Sequence, residues 1–174
     1  AGVIHAGGGS HTFPESTTNI NDGNWHHVAK TGKASHQKIY VDGTLEDTHT
    51  DGFDMNTSAD PFEIGDHNGG YFIDMSLFEL AVFNTELDLA NVQAAYNGGK
   101  EFNLNFNQGN YDSSSNLTAY YKMGNGLFDN KANGIIHDQD SPGFGGNLLT
   151  GNDSTFDGAN NWTEWSPSGT TGLS

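Results

Sequence analysis

Hydrophobic positions along the chain fall into short groups bounded by turn residues, not into long periodic runs. Val3-Ile4-His5 is a short apolar start closed by Gly7-Gly8-Gly9. Asn21-Asp22-Gly23-Asn24 carries strong turn chemistry, because Asn, Asp and Gly accept the positive φ angles of tight turns. Trp25-His26-His27-Val28-Ala29-Lys30 follows. Strand alternation predicts Trp25, His27 and Ala29 on one face and His26 and Val28 on the other. Thr31-Gly32-Lys33 reads as a second turn, and Lys38-Ile39-Tyr40-Val41 runs into the hairpin signal Asp42-Gly43. Pro61-Phe62-Glu63-Ile64-Gly65 is a short strand whose proline stands first, where no ladder hydrogen bond is lost. Residues 71–84 are the longest apolar stretch. Its β-branched and aromatic content predicts a strand, with a bend or bulge at residues 74–76.

One helix breaks this pattern. Leu89, Val92 and Tyr96 recur at i, i+3 and i+7 behind a capping residue, Asp88, and Gly98-Gly99 supplies a stop. Residues 98–116 are rich in Asn, Ser and Gly and read as a connector, in which the alternating Phe102, Leu104 and Phe106 predict an edge strand. Residues 117–123 and 134–137 read as strands, while Asn147-Leu148-Leu149 and Trp162-Thr163-Glu164-Trp165 are islands in a polar tail. The expected organisation is therefore a domain over 1–97, a connector over 98–116, a short β segment over 117–147 and the start of a further β module over 148–174. No tandem repeat is visible.

Composition narrows the function classes. The 174 residues hold 6 Lys plus Arg against 22 Asp plus Glu, a formal net charge of −16, and all the basic residues are lysines. Neither nucleic-acid binding through phosphate contacts nor docking on an anionic membrane fits that balance. Arginine-fork recognition of phosphate is excluded outright. No apolar run is long enough for a membrane span. The absence of cysteine excludes disulfides, thiolate zinc sites and thiol catalysis. Aromatic residues make up 11%, which supplies core material that disordered chains lack. Together with 24 glycines, this composition indicates an all-β protein with many tight turns.

Taken in order, several of these segments resemble one family. They are Asn21-Asp22-Gly23-Asn24-Trp25-His26-His27-Val28-Ala29, Ile39-Tyr40-Val41-Asp42-Gly43, Phe62-Glu63-Ile64-Gly65, the stretch from Ile73-Asp74 to Phe83-Asn84, and residues 87–97. The order and spacing resemble the second half of a laminin-G-like, concanavalin-A-like domain. The resemblance implies an antiparallel jelly-roll β-sandwich with one short helix and an extended polar C-terminal tail. It also implies further strands before Ala1, so the chain is expected to begin inside the fold, and it places Trp25 in the core. The later order is Asn116 to Gly126, Ile136-His137-Asp138-Gln139, residues 147–156 and Trp162. It is similar to segments that follow laminin-G-like domains in structural and tail proteins of marine bacteriophages.

Several chemistries can be tested on the residues. Glycoside hydrolysis, which the same jelly roll hosts in glucanases, needs two carboxylates about 5–10 Å apart. The nearest pair, Asp74 and Glu79, has an odd offset that puts the two on opposite strand faces unless a bulge intervenes, and Phe72 stands where those enzymes carry a further Glu. Tyr121-Lys122-Met123-Gly124 resembles one motif of alginate-type lyases, without the arginine strand they need; Tyr120 and Tyr121 are expected to pack within a strand. His26 and His27 are adjacent, so strand geometry points them apart, and the other histidines lack ligand spacing. Calcium takes oxygens from Asp, Asn and backbone carbonyls on loops. The resemblance implies calcium at a sandwich rim, and the richest rim loop here is Asp66-His67-Asn68-Gly69-Gly70, near Asp60 and Asp74. The candidate calcium ligands are Asp60, Asp66 and Asp74. The candidate ligand-binding residues are Asp66, His67, Asn68 and Tyr71, an aromatic beside a hydrogen-bonding loop.

No catalytic residue is expected. The resemblance implies a non-catalytic virion structural or adsorption protein of a bacteriophage, in a fibre, spike or capsid decoration. Its partners would be other virion subunits, in a homo-oligomer, and a host surface glycan, with neither nucleic-acid binding nor membrane insertion. The alternative is a calcium-dependent lectin or carbohydrate-binding module of a secreted protein.

Overall fold

Strands dominate the structure, a computed structural model in which residues 13–50, 75–122, 135–136 and 148–149 are described. The chain divides into two compact units. The first comprises Ala1–Ser76, Glu86–Phe102 and Gly109–Tyr111, and the second Leu77–Thr85, Asn103–Gln108 and Asp112–Ser174.

In the first unit, β1 (Val28–Lys33), β2 (His36–Val41) and β3 (Thr44–His49) form an antiparallel sheet in the order β1-β2-β3. Ile39, Tyr40 and Val41 are successive and therefore face alternate sides, yet all are buried. The central strand is thus covered on both faces.

The two hairpin turns differ from each other in chemistry. Between β2 and β3, Asp42 (φ 50°) and Gly43 (φ 72°) both take positive φ, the two-residue turn that matches strand twist. This is where the Asp-Gly signal predicted it. The predicted turn at Thr31-Gly32-Lys33 does not form: these residues complete β1, and the chain reverses at Ala34-Ser35, because Lys33 pairs with His36. Gly32 serves the ladder instead, since a Cβ there would lie 3.2 Å from the His36 carbonyl oxygen. Likewise the predicted strand at 25–30 begins only at Val28.

The β2–β3 register shifts between Ile39 and Tyr40, pairing them with Asp47 and Leu45. Glu46 is left outside the ladder, and a bulge of this kind re-aims a side chain. Its carboxylate accepts the Thr17 amide at 2.7 Å, the Thr18 amide at 3.0 Å and the Thr18 hydroxyl, tying the incoming chain to the sheet.

Helix α1 (Leu89–Tyr96) follows Asp88, whose Oδ1 accepts the Asn91 amide at 2.9 Å, as the capping pattern predicts. It ends at Asn97 in the left-handed conformation (φ 48°), one residue before the glycines that mark the stop in the sequence. Val92 is fully buried, whereas Leu89, expected on the same inward face, is 45% exposed at the first helical position.

In the second unit, β4 (Leu80–Phe83) pairs antiparallel with β5 (Leu117–Tyr121), which a short 3₁₀ turn at Ser114–Asn116 introduces. Asn84 and Asn116 close the end of this ladder through their amides and side chains. Strands β6 (Ile135–Ile136) and β7 (Leu148–Leu149) form a separate antiparallel pair. Of the strand predicted over 71–84, residues 71–74 lie outside the described residues, and within 75–84 only Leu80–Phe83 is strand. Residues 75–79 are not strand, so the interruption includes residues 75–76 of the expected bend, and it ends at Glu79, where φ is +57°. The Glu79 carboxylate accepts the Tyr120 hydroxyl at 2.9 Å and lies 3.6 Å from Lys122 Nζ, which ties the entry of β4 to β5.

The edge strand predicted from Phe102, Leu104 and Phe106 is also absent. Asn103 Oδ1 accepts the Asn105 amide at 3.0 Å, and a local side-chain bond of this kind competes with strand pairing. Phe102 packs edge-on against Tyr111 in the first unit, while Phe106 is exposed. The architecture is mostly strand, with antiparallel sheets and one short helix, as an all-β fold requires. Among the described residues no helix is long and apolar enough to cross a membrane.

Candidate functional site

Among the described residues, a polar arrangement of the first unit lies where the chain enters β1. Asp22 closes the Asn21-Asp22-Gly23-Asn24 turn from within: its Oδ1 accepts the Asn24 amide at 2.8 Å and its Oδ2 the Asn24 side chain at 2.9 Å. Side chain to backbone bonding two residues ahead is the usual reason Asp starts a turn. Four residues on, His26 reaches back, placing Nε2 3.1 Å from Asp22 Oδ1. Its other nitrogen, Nδ1, lies 2.8 Å from Asp42 Oδ2 on the β2–β3 turn. Asp42 Oδ1 in turn accepts the His27 amide at 2.8 Å, and the Asp42 amide donates to the His27 carbonyl at 2.9 Å.

Electrostatics follow this geometry. The hydrogen bonds from Asn24, joined by His26, hold the Asp22 carboxyl at about 2. The Asp42 bond, outweighing burial and aided by Asp22, raises His26 above the ordinary histidine range. His27 goes the other way, because burial disfavours its charged form. Its ring lies 5.8 Å from that of Tyr96 on α1. The adjacent histidines therefore diverge, as expected from the sequence.

Between the turn and His26 stands Trp25, which is 50% exposed. The expectation that Trp25 is a core residue is wrong. Strand alternation starts at Val28, and the His26 contacts to Asp22 and Asp42 hold the preceding residue at the surface. The arrangement presents a flat apolar face beside the exposed amide side chains of Asn21 and Asn24.

A second node gathers the sheet's cations. Glu86, just before α1, takes Lys38 Nζ at 2.9 Å and His36 Nε2 at 2.6 Å, with Lys33 Nζ at 3.5 Å. The β1–β2 register pairs Lys33 with His36 and Thr31 with Lys38, which puts all three cations on one face. Burial opposes ionisation of Glu86, but the Lys38 and His36 bonds prevail and hold it at about 2. The same Glu86 bond raises Lys38.

Both nodes are built to keep carboxylates ionised. Asp22, Glu46, Glu86 and Asp88 are all held below their ordinary values, so at neutral pH they accept hydrogen bonds and have no proton to give. Among the described residues no group of three His, Asp or Glu side chains is placed to hold a metal ion. At Asp22, His26 and Asp42 the reason is direct: the two ring nitrogens point in different directions and each already faces a carboxylate.

Of the residues singled out in the sequence, Asp60, Asp66, His67, Asn68, Tyr71 and Asp74 lie outside the described residues. The hydrolase pair is represented by Glu79 alone, engaged with Tyr120 and Lys122, and Tyr120 is fully buried within β5 as expected for strand packing. Sequence reasoning missed the joint role of Asp22, His26 and Asp42. Its one local signal is the four-residue spacing of Asp22 and His26; Asp42 joins them only through the β1–β2 register.

A family model described as the concanavalin A-like lectin/glucanases superfamily, of laminin G type, matches residues 2–93. No curated protein and no solved structure matches the chain significantly. The matched region takes in the β1–β2–β3 sheet, β4, the His26 and Glu86 nodes and most of α1. Since it spans more than half of the 174 residues, the chain belongs to the concanavalin A-like lectin/glucanases superfamily as a laminin G-type member.

Proposed function

We propose that this chain is a non-catalytic structural or adsorption protein of a bacteriophage virion, whose laminin G-type module, a jelly-roll sandwich with a polar C-terminal tail, makes protein or glycan contacts. The observation that carries the contact role is Trp25, half-exposed beside a turn already fixed by Asp22, Asn24 and His26. A pre-ordered aromatic face flanked by amides loses little entropy when a sugar ring or peptide settles on it. The non-catalytic reading rests on the sequence, in which Phe72 stands where the related glucanases carry a further Glu of their catalytic set. The virion setting rests on the resemblance of residues 116–162 to segments of phage tail proteins. Repetition of the subunit in a particle would offset weak single-site affinity.

The test is a screen of bacterial surface polysaccharides for binding and turnover, with sedimentation of the same samples. The reading expects assembly into symmetric oligomers, no release of sugar, and at least a tenfold weaker contact in Trp25→Ala. Binding that EDTA abolishes would favour the calcium-dependent lectin instead, with Asp60, Asp66 and Asp74 as the residues to mutate. Release of oligosaccharides would overturn the non-catalytic role.

A further inference from the structure

One imidazole joins two turns that are remote in sequence. Asp22 belongs to the turn before β1 and Asp42 to the turn between β2 and β3, and His26 lies 3.1 Å from the first and 2.8 Å from the second. An ionised carboxylate only accepts hydrogen bonds. Both contacts are therefore bonds only when both ring nitrogens carry protons, that is, when His26 is an imidazolium. A neutral ring has one N–H and one lone pair, so one carboxylate would face a lone pair at bonding distance.

We propose that Asp22, His26 and Asp42 form a proton-operated latch: protonated His26 fastens the Asn21–Asn24 turn to the β2–β3 turn, and loss of its proton releases the first turn and with it Trp25.

The geometry says which contact gives way. Asp42 is fixed on the sheet by its amide bond to the His27 carbonyl and by the His27 amide on its second oxygen. The shorter Nδ1 contact to Asp42 keeps the remaining proton. Asp22, by contrast, spends its other bonds inside its own turn, on Asn24. When Nε2 loses its proton, the Asp22 contact changes from attraction to repulsion. Trp25 lies between the turn and His26 in the chain and moves with them. Among the described residues, Asp22 and Asp42 are the charged groups seen to face His26, and from α1 the Tyr96 ring packs on His27. The Asp42 bond raises His26, so the latch is closed at and below the ordinary histidine range and opens on its alkaline side. This inference concerns the chain alone and does not depend on what binds Trp25.

The experiment follows histidine and tryptophan resonances of the whole 174-residue chain against pH, using fluorotryptophan with Trp25→Phe to assign the Trp25 signal. The expected result is a His26 midpoint above about 6.5 and a Trp25 shift with the same midpoint. In Asp42→Asn both midpoints should fall together toward the ordinary histidine value. In His26→Gln the Trp25 signal should lose its dependence on pH in this range. A Trp25 signal that stays constant while His26 titrates would overturn the latch. So would a Trp25 transition that persists in His26→Gln, or that fails to follow His26 in Asp42→Asn.

Discussion

Gly43 meets two requirements at once. Its φ of 72° lies in the left-handed region, and a Cβ built there would come 3.0 Å from Tyr96 Cδ1. Any L side chain at this position pays for the conformation, roughly 1–2 kcal/mol, and must also displace the ring of Tyr96, the last residue of α1. Gly43→Ala is expected to destabilise the fold by more than about 1 kcal/mol, measured by chemical denaturation. Gly32, which lacks positive φ, should respond only through the tight approach of the His36 carbonyl. Asp42 beside it has three tasks: a turn residue with positive φ, an acceptor for the His27 amide, and the carboxylate facing His26. Asp-Gly predicts the first from sequence. The other two come from the backbone amide of His27 and the ring of His26, fifteen and sixteen residues away.

At the scale of elements, α1 is a helix of only 8 residues, too short to persist by propensity. Two features hold it: the Asp88 cap and the burial of Val92. Asp88→Ala is expected to cost about 1 kcal/mol of stability, seen as a lower denaturation midpoint with an unchanged denaturant slope. Both features were readable from the sequence, because capping and helical spacing are local. The Glu86 node was not. Its partners lie about fifty residues upstream and converge only because the Lys33↔His36 register sets three cations on one face. The same logic explains the edge strand wrongly expected from Phe102, Leu104 and Phe106. Alternation was present, but the Asn103 side chain offered the backbone a local partner first. Within 75–84, strand composition matches strand only at Leu80–Phe83, since the left-handed Glu79 before it is held by Tyr120 of β5 and by Lys122 just after it.

For the whole molecule, the paired groups set a pH window. Asp22, Glu46, Glu86 and Asp88 have lowered values in the folded state, so the stability they contribute is present above the ordinary carboxylate range. It is lost as pH falls through about 4 toward 2. His26 is raised, so its contribution is complete below about 6.5 and is lost as pH rises through its folded value. With a net charge of −16, self-repulsion also grows on the alkaline side. His27, lowered by burial, acts in the opposite sense to His26, because charging it costs stability as pH falls below about 6.5. Stability is therefore expected to be highest near about pH 6.5, with lower melting temperatures toward about pH 2.5 and about pH 8.5 in a thermal scan. In His26→Gln the alkaline decline should become shallower, and the acid limb should lose only the part of the Asp22 contribution that His26 supplies.

The amino-acid sequence by itself determined the features that rest on neighbours in the chain. These are the mostly strand character, the Asp42-Gly43 hairpin, the Asp88-capped helix, and a strongly acidic composition without arginine. Backbone sterics, capping and net charge act over a few residues or depend on composition alone, so they can be read before the fold is known. Only the tertiary structure decided that β1 continues through Thr31-Gly32-Lys33, that Trp25 stands at the surface, and that His26 lies between Asp22 and Asp42. Each of these depends on strand register, and a register brings together side chains whose separation along the chain carries no signal of their meeting.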